Sequence, residues 1–206
     1  MRIWAYGDDI NTDMLFPGKY TYTCAMPEEI KPHLLEDLDP EFAKAVQAGD
    51  VIFAGKNFGC GSSREQPVVG LKAVGIEAIV AKSYARIFYR AAINQGLLLI
   101  ECPEAIAAYE AGMPVQLLLK ESSIKVGDQT FRYPTLPPEI LAIRDAGGLL
   151  AYTRAKLRTR ADATRKPESN HQDTTDTKNT KSITPLILFV SLCLGGEFLS
   201  RFPGAK

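Results

Sequence analysis

The chain has 206 residues, enough for one full-sized domain or at most two. With 46% hydrophobic and 23% charged residues it is neither wholly disordered nor an all-membrane protein. The 24 Lys and Arg balance the 24 Asp and Glu, which excludes a broad basic field for nucleic acid.

Read in chain order, short β-rich runs alternate with helical patterns. Residues 2–6 and 50–54 (Asp-Val-Ile-Phe-Ala) read as strands, followed by 76–81, 97–101 and 115–119, all rich in branched side chains. Between them, 67–74, 84–95 and 104–111 read as helices, each stopping at or just before a glycine. Residues 123–126 and 129–133, joined by Gly127-Asp128, read as a hairpin, and 138–157 as a helical end interrupted by Gly147-Gly148. This alternation predicts an α/β domain.

Composition changes near residue 158. From 159 to 182 the only hydrophobic residues are two alanines, so this polar stretch is expected to be a disordered linker. Residues 183–206 form an appendage of unknown role. Its apolar run at 183–194 lies in a charge-free stretch (182–196) shorter than the roughly 20 residues a spanning helix needs, which argues against a membrane segment. The N-terminus turns polar at once and lacks the apolar core of a secretory signal. Cys24, Cys60, Cys102 and Cys193 lie far apart, with neither a C-x-x-C pair nor zinc-type spacing, so the chain offers no metal cage of its own. A reducing, cytoplasmic setting suits that pattern.

The chemistry concentrates in Gly55-Lys56-Asn57-Phe58-Gly59-Cys60-Gly61-Ser62-Ser63-Arg64-Glu65-Gln66-Pro67, which follows a strand and opens a helix. Two glycines permit a sharp turn and close approach of a ligand. Arg64 offers a planar fork for a carboxylate, and Ser62 and Ser63 should lie where a helix N-terminus attracts an anion. Ser62-x-x-Glu65 and Ser63-x-x-Gln66 also match an ordinary capping box, but capping alone leaves the glycines and the arginine unexplained. The spacing fits neither nucleotide-binding glycine motif. A second cluster, Asp8, Asp9 and Asp13, reads either as a metal site or as Asx turns. His33 reads as a residue of a solvated helix, Trp4 as core, and Phe88 as packing inward while Arg86 and Arg90 pair with acids or line an interface.

Asn11-Thr12-Asp13 with Pro17 and Tyr20, then the block from Asn57 to Glu65, then Ala81-Lys82-Ser83-Tyr84-Ala85-Arg86-Ile87-Phe88-Tyr89-Arg90 and Asn94-Gln95-Gly96-Leu97, resemble the small subunit of 3-isopropylmalate dehydratase. More broadly they are similar to the swivelling domain of the aconitase superfamily. The resemblance covers residues 1–158 and implies a three-layer β/β/α swivelling domain. It also implies an isomerising hydro-lyase of leucine biosynthesis, active only with a large subunit that holds a four-iron four-sulfur cluster on three cysteines. By position, Ser62 is then the base, Asp13 the active-site aspartate, and Ser63 and Arg64 the binders of a substrate carboxylate. Thr21, Tyr22 and Thr23 fall in the segment that sets substrate choice. The same branch holds homoaconitase and dimethylmalate-type small subunits, and a non-catalytic binding module is the alternative of another class. One departure stands out: the family's His-Ala-Pro after Ser-Arg-Glu is here Gln66-Pro67-Val68, which places proline one residue early.

Overall fold

The structure, a computed structural model, describes residues 1–164. Strands β1 (Ile3–Ala5), β2 (Val51–Ala54), β3 (Ala78–Ala81) and β4 (Leu98–Glu101) form one sheet in that spatial order, every neighbouring pair parallel. The two central strands are buried from end to end. That burial explains why they read as unbroken apolar runs rather than as alternating patterns.

Side chains alternate across this sheet and divide the core in two. Ile52, Ala54, Ile79, Ala81 and Leu99 face the helices. Those helices are α1 (Thr12–Leu15), α2 (Pro27–Ile30), α3 (Phe42–Ala45), α4 (Gln66–Ala73) and α5 (Arg86–Gln95). Trp4, Leu71 and Phe88 fill that side, so the inward packing read for Trp4 and Phe88 holds. Arg86 and Arg90 are exposed.

Val51, Phe53, Ala78, Val80, Leu98 and Ile100 face the other way, together with Ala105 of α6 (Pro103–Ala108). There they meet Ile124 and Val126 of a second, antiparallel sheet of β5 (Val115–Leu118), β6 (Ser123–Val126) and β7 (Gln129–Arg132). The result is the expected β/β/α sandwich of three layers. The hairpin at Gly127-Asp128 forms as read.

Two further helices, α7 (Pro138–Asp145) and α8 (Leu149–Thr164), close the chain's described part and break at Gly147-Gly148. Lys72 of α4 ties this corner to the body, its ammonium donating to the carbonyls of Gln95 and Gly147. Helix α8 continues to Thr164, so the first residues of the stretch expected to be disordered are helical. Alanine and arginine between 151 and 163 are strong helix formers, and local propensity sustains the helix where composition alone read linker. The rest of that linker and the apolar appendage lie outside the described residues.

One buried carboxylate anchors the first strand. Asp50, 3% exposed, accepts from the backbone N–H of Arg2 at 2.7 Å, from Trp4 Nε1 at 3.1 Å and from the N–H of Gln47 at 3.0 Å. Burial by itself would raise its pKa. Donation from Gln47, Arg2 and Trp4 outweighs that and holds it below the usual carboxylate range. Asp50→Ala, which strands these donors, is expected to cost about 2–4 kcal/mol in urea unfolding, with Asp50→Asn milder. Because the folded-state pKa is lowered, the carboxylate's contribution is present above the ordinary range and lost as pH falls below it.

Candidate active site

The site lies beyond the carboxyl ends of β1 and β2, where open parallel sheets bind ligands. The two chains leaving these strands continue to pair. Gly55 N–H donates to Gly7 O at 2.9 Å, Asp9 N–H to Lys56 O at 2.8 Å, Gly59 N–H to Ile10 O at 2.7 Å and Thr12 N–H to Cys60 O at 2.8 Å. An isolated parallel bridge joins Asn11 to Cys60. Asp8 and Asp9 serve this seam rather than a metal or Asx turns: Asp8 Oδ1 accepts from Lys56 N–H at 2.7 Å and Asp9 Oδ1 from Asn57 Nδ2 at 2.8 Å. Asp9 and Asn57 both sit at positive φ, where their residue types are tolerated best.

Two glycines of the seam combine a positive φ with no room for a side chain. At Gly59 (φ +77°) an added Cβ would fall 2.1 Å from the Phe88 ring, and at Gly61 (φ +100°) 3.0 Å from Thr12 Oγ1.

Beyond Gly61, Ser62 Oγ lies 3.0 Å from Thr12 Oγ1 and accepts from Arg64 Nε at 2.7 Å. Ser62 N–H donates to Thr12 Oγ1 at 2.9 Å. Neither expected capping box forms, because no side chain caps α4, whose N-cap is Glu65. Helix α4 starts only at Gln66, with Pro67 in its first turn, and the hydroxyl of Ser62 is taken up by Thr12 and Arg64. The serines therefore precede the helix N-terminus instead of standing on it.

Arg64 is the hub, its side chain only 16% exposed. Besides Ser62 it reaches Thr21 Oγ1 at 2.9 Å and Phe16 O at 3.4 Å through Nη1, and Asp13 Oδ1 at 2.5 Å through Nη2. Nε, both N–H groups of Nη1 and one of Nη2 are thus engaged, which leaves one Nη2 N–H for a ligand. The bidentate fork that the sequence offers is instead turned onto the protein's own groups.

The chain is similar to named proteins over most of its length. An aconitase C-terminal domain profile matches residues 11–105. The 3-isopropylmalate dehydratase small subunit 1 of Methanopyrus kandleri is 48% identical over 152 residues, 72% of this chain and 88% of that one. Its counterpart from Archaeoglobus fulgidus is 46% identical over 162 residues, 78% of this chain and 99% of that one. The crystal structure of 3-isopropylmalate dehydratase (LeuD) from Methanocaldococcus jannaschii superimposes with a TM-score of 0.73 at 39% identity, covering 79% of this chain and 96% of that one. The chain belongs to the 3-isopropylmalate dehydratase small-subunit family.

Of the residues that the small-subunit family points to, Ser62, Arg64, Asp13 and Thr21 are brought together as described. Ser63 stands exposed beside them, without a hydrogen bond among the described residues. Tyr22 is 99% exposed, and Thr23 Oγ1 turns back to Tyr20 O at 3.3 Å, so neither reaches the arginine cluster. Thr12 is the site residue that the sequence reading passed over. A threonine between an Asn N-cap and an acidic first-turn residue looks like an ordinary helix start, and only its contact with a loop 50 residues on sets it apart.

The arm presenting Thr21 is braced from outside. Its 3-10 turn Gly18–Tyr20 carries Lys19 and Tyr20, whose polar ends both donate to Glu36 Oε1, at 2.9 and 3.2 Å. His33 Nδ1 meets Glu36 Oε2 at 2.9 Å and its ring stacks on Tyr20 at 3.8 Å. His33 lies in a 3-10 turn rather than on the expected solvated helix, because Pro32 interrupts the α-helical ladder after Ile30.

Two predictions follow from this geometry. Gly61→Ala is expected to cost about 1–3 kcal/mol in urea unfolding and to part Ser62 from Thr12, seen as faster exchange of the Ser62 amide. Donation from Lys19, then from His33, holds the Glu36 carboxyl at about 2, against 4.5 ordinarily. This lowered pKa means the brace is complete above about 4.5 and released as pH falls toward about 2. Protection of the amides of residues 18–21, taken relative to the intrinsic exchange rate at each pH, should therefore fall through that window, and Glu36→Gln should remove that change.

Proposed function

We propose that this chain is the substrate-recognising half of a two-subunit hydro-lyase that interconverts 2-isopropylmalate and 3-isopropylmalate in leucine biosynthesis, by removing water and adding it back. The observation that carries the reading is the Thr12–Ser62–Arg64–Asp13 constellation, assembled in a chain 43–48% identical over most of its length to named small subunits of this enzyme.

The chemistry required of the chain is removal of a proton from carbon next to a carboxylate. Ser62 is an exposed residue, so a substrate C–H group can approach it. A serine hydroxyl is far too weak an acid to ionise unaided at neutral pH. Here a guanidinium donates to it at 2.7 Å, and closure of a large subunit over the site would exclude water and strengthen that contact. Ser63 and the remaining Nη2 N–H of Arg64 receive the substrate carboxylate. The proton held at Ser62 Oγ is returned when water adds back in the opposite sense.

A large-subunit iron-sulfur cluster, when bound, supplies the Lewis acid that takes the leaving hydroxyl. Among the described residues no group of three or more His, Cys, Asp or Glu is placed to hold a metal, so the reading assigns the cluster to the partner. Cys24, Cys60 and Cys102 are free thiols, which suits a reducing compartment. No helix among the described residues is long and apolar enough to cross a membrane.

The test is reconstitution with the large subunit under anaerobic cluster loading, following absorbance of the unsaturated acid from isopropylmalate. Ser62→Ala should lower kcat by about 10²–10⁴-fold while the subunits still assemble. Arg64→Lys should both raise KM and lower kcat, because the arginine holds the base as well as the carboxylate. Turnover of a homocitrate-type acid in place of isopropylmalate would move the chain to the homoaconitase branch, and undiminished turnover in Ser62→Ala would refute the base.

A further inference from the structure

We infer that Thr12 is a positioning residue for the base, holding the Ser62 oxygen between two hydrogen-bond donors and leaving a single acceptor direction for the substrate. The inference rests on the function proposed above and adds to it a residue and a proton arrangement.

Thr12 is buried, 1% exposed, whereas Ser62 is exposed. Helix α1 does not use the threonine hydroxyl: Asn11 is the N-cap, accepting from the N–H groups of Asp13 and Met14 at 2.9 and 2.8 Å. Thr12 Oγ1 instead makes two contacts with one residue, accepting from Ser62 N–H at 2.9 Å and lying 3.0 Å from Ser62 Oγ. The missing side chain of Gly61 keeps this approach open, since a Cβ there would sit 3.0 Å from the same oxygen.

Counting protons decides the direction of the second contact. Arg64 Nε can only donate, so one acceptor direction of Ser62 Oγ is taken at 2.7 Å. Once Ser62 has passed its proton to solvent water before the site closes, it has nothing to donate, and the contact with Thr12 persists only if the threonine O–H donates a hydrogen bond to the serine oxygen. Thr12 can do so while its oxygen still accepts from Ser62 N–H. That back-donation also fixes how the hydroxyl is turned, on a β-branched side chain already stiff about χ1. The ionised oxygen is then held by Thr12 and Arg64, which leaves its third lone pair for the substrate proton. The charged groups reaching Ser62 directly or through these partners are Arg64 and, across it, Asp13.

The experiment compares Thr12→Val with Thr12→Ser in the reconstituted two-subunit enzyme. Valine matches the shape and removes the hydroxyl, and serine restores it. Loss of one preorganised donor to the ionised base lowers the fraction of Ser62 present as alkoxide and should lower kcat by about 10²-fold in Thr12→Val, with KM for isopropylmalate within about threefold of wild type and assembly retained. Thr12→Ser should recover kcat to within about tenfold of wild type. A valine variant that keeps wild-type kcat, one that changes KM alone, or a serine variant that falls as far as valine would overturn the inference.

A second measurement does not depend on turnover. In the unmodified full-length chain, the Thr12 hydroxyl proton should exchange slowly with solvent by NMR and show a close contact to the Ser62 side chain. A fast-exchanging Thr12 hydroxyl overturns the inference even if Thr12→Val fails to fold. An inactive wild-type mixture with a protected Thr12 hydroxyl would refute the assigned substrate and leave the positioning role standing.

Discussion

The seam between the two chain segments that leave β1 and β2 is the constraint on which the site depends. Parallel pairing does not stop where the strands stop but runs on through Asp9, Ile10 and Thr12 on one side and Lys56, Gly59 and Cys60 on the other. Because backbone pairing sets register, it decides which residue of one loop faces which residue of the other. Thr12 is thereby placed against Ser62, and Asp13 one residue on meets Arg64. Gly59, Gly61, Asp8, Asp9 and Asn57 are the residues that let this seam close.

Arg64 turns the seam into a site. A guanidinium with so little exposure must have its donors satisfied, and it finds four acceptors on three stretches of chain: Ser62, Asp13, and the Phe16 carbonyl and Thr21 hydroxyl on the arm beyond α1. This arrangement orders the Ser62 hydroxyl, the proposed base, within the chain itself. In the proposed reaction a substrate carboxylate takes a share of Nη2 from the exposed Asp13, a small rearrangement compared with ordering an unpaired arginine. The arm is braced by Glu36, so the partner of Arg64 at Thr21 does not drift. Tyr22, one residue on, is left standing in solvent, free to meet whatever closes over the site.

The three-layer body has a simpler logic. A parallel sheet with sequential strand order leaves one face for its helices and the opposite face bare, and that face must be covered. The small antiparallel sheet does this with Ile124 and Val126 against Phe53, Val80 and Ile100. The same alternation that divides the core also fixes the ends of β1 and β2 side by side, which is where the seam begins.

Much of this was written in local chemistry. Runs such as Val-Ile-Phe-Ala announce buried strands, Gly96 announces a helix end, and Gly-Cys-Gly-Ser-Ser-Arg-Glu announces a loop too specialised for capping alone. These features are local, determined by a residue's own conformational preferences and those of its near neighbours. What only the tertiary structure decided were relations between distant segments. The guanidinium of Arg64 faces Asp13 rather than solvent, Asp8 and Asp9 latch a loop rather than a metal, the serines precede their helix rather than cap it, and Thr12 reaches a hydroxyl 50 residues away. The physical reason is that a polar side chain carries several possible hydrogen bonds in its chemistry, and only the register of two paired loops selects which of them are made.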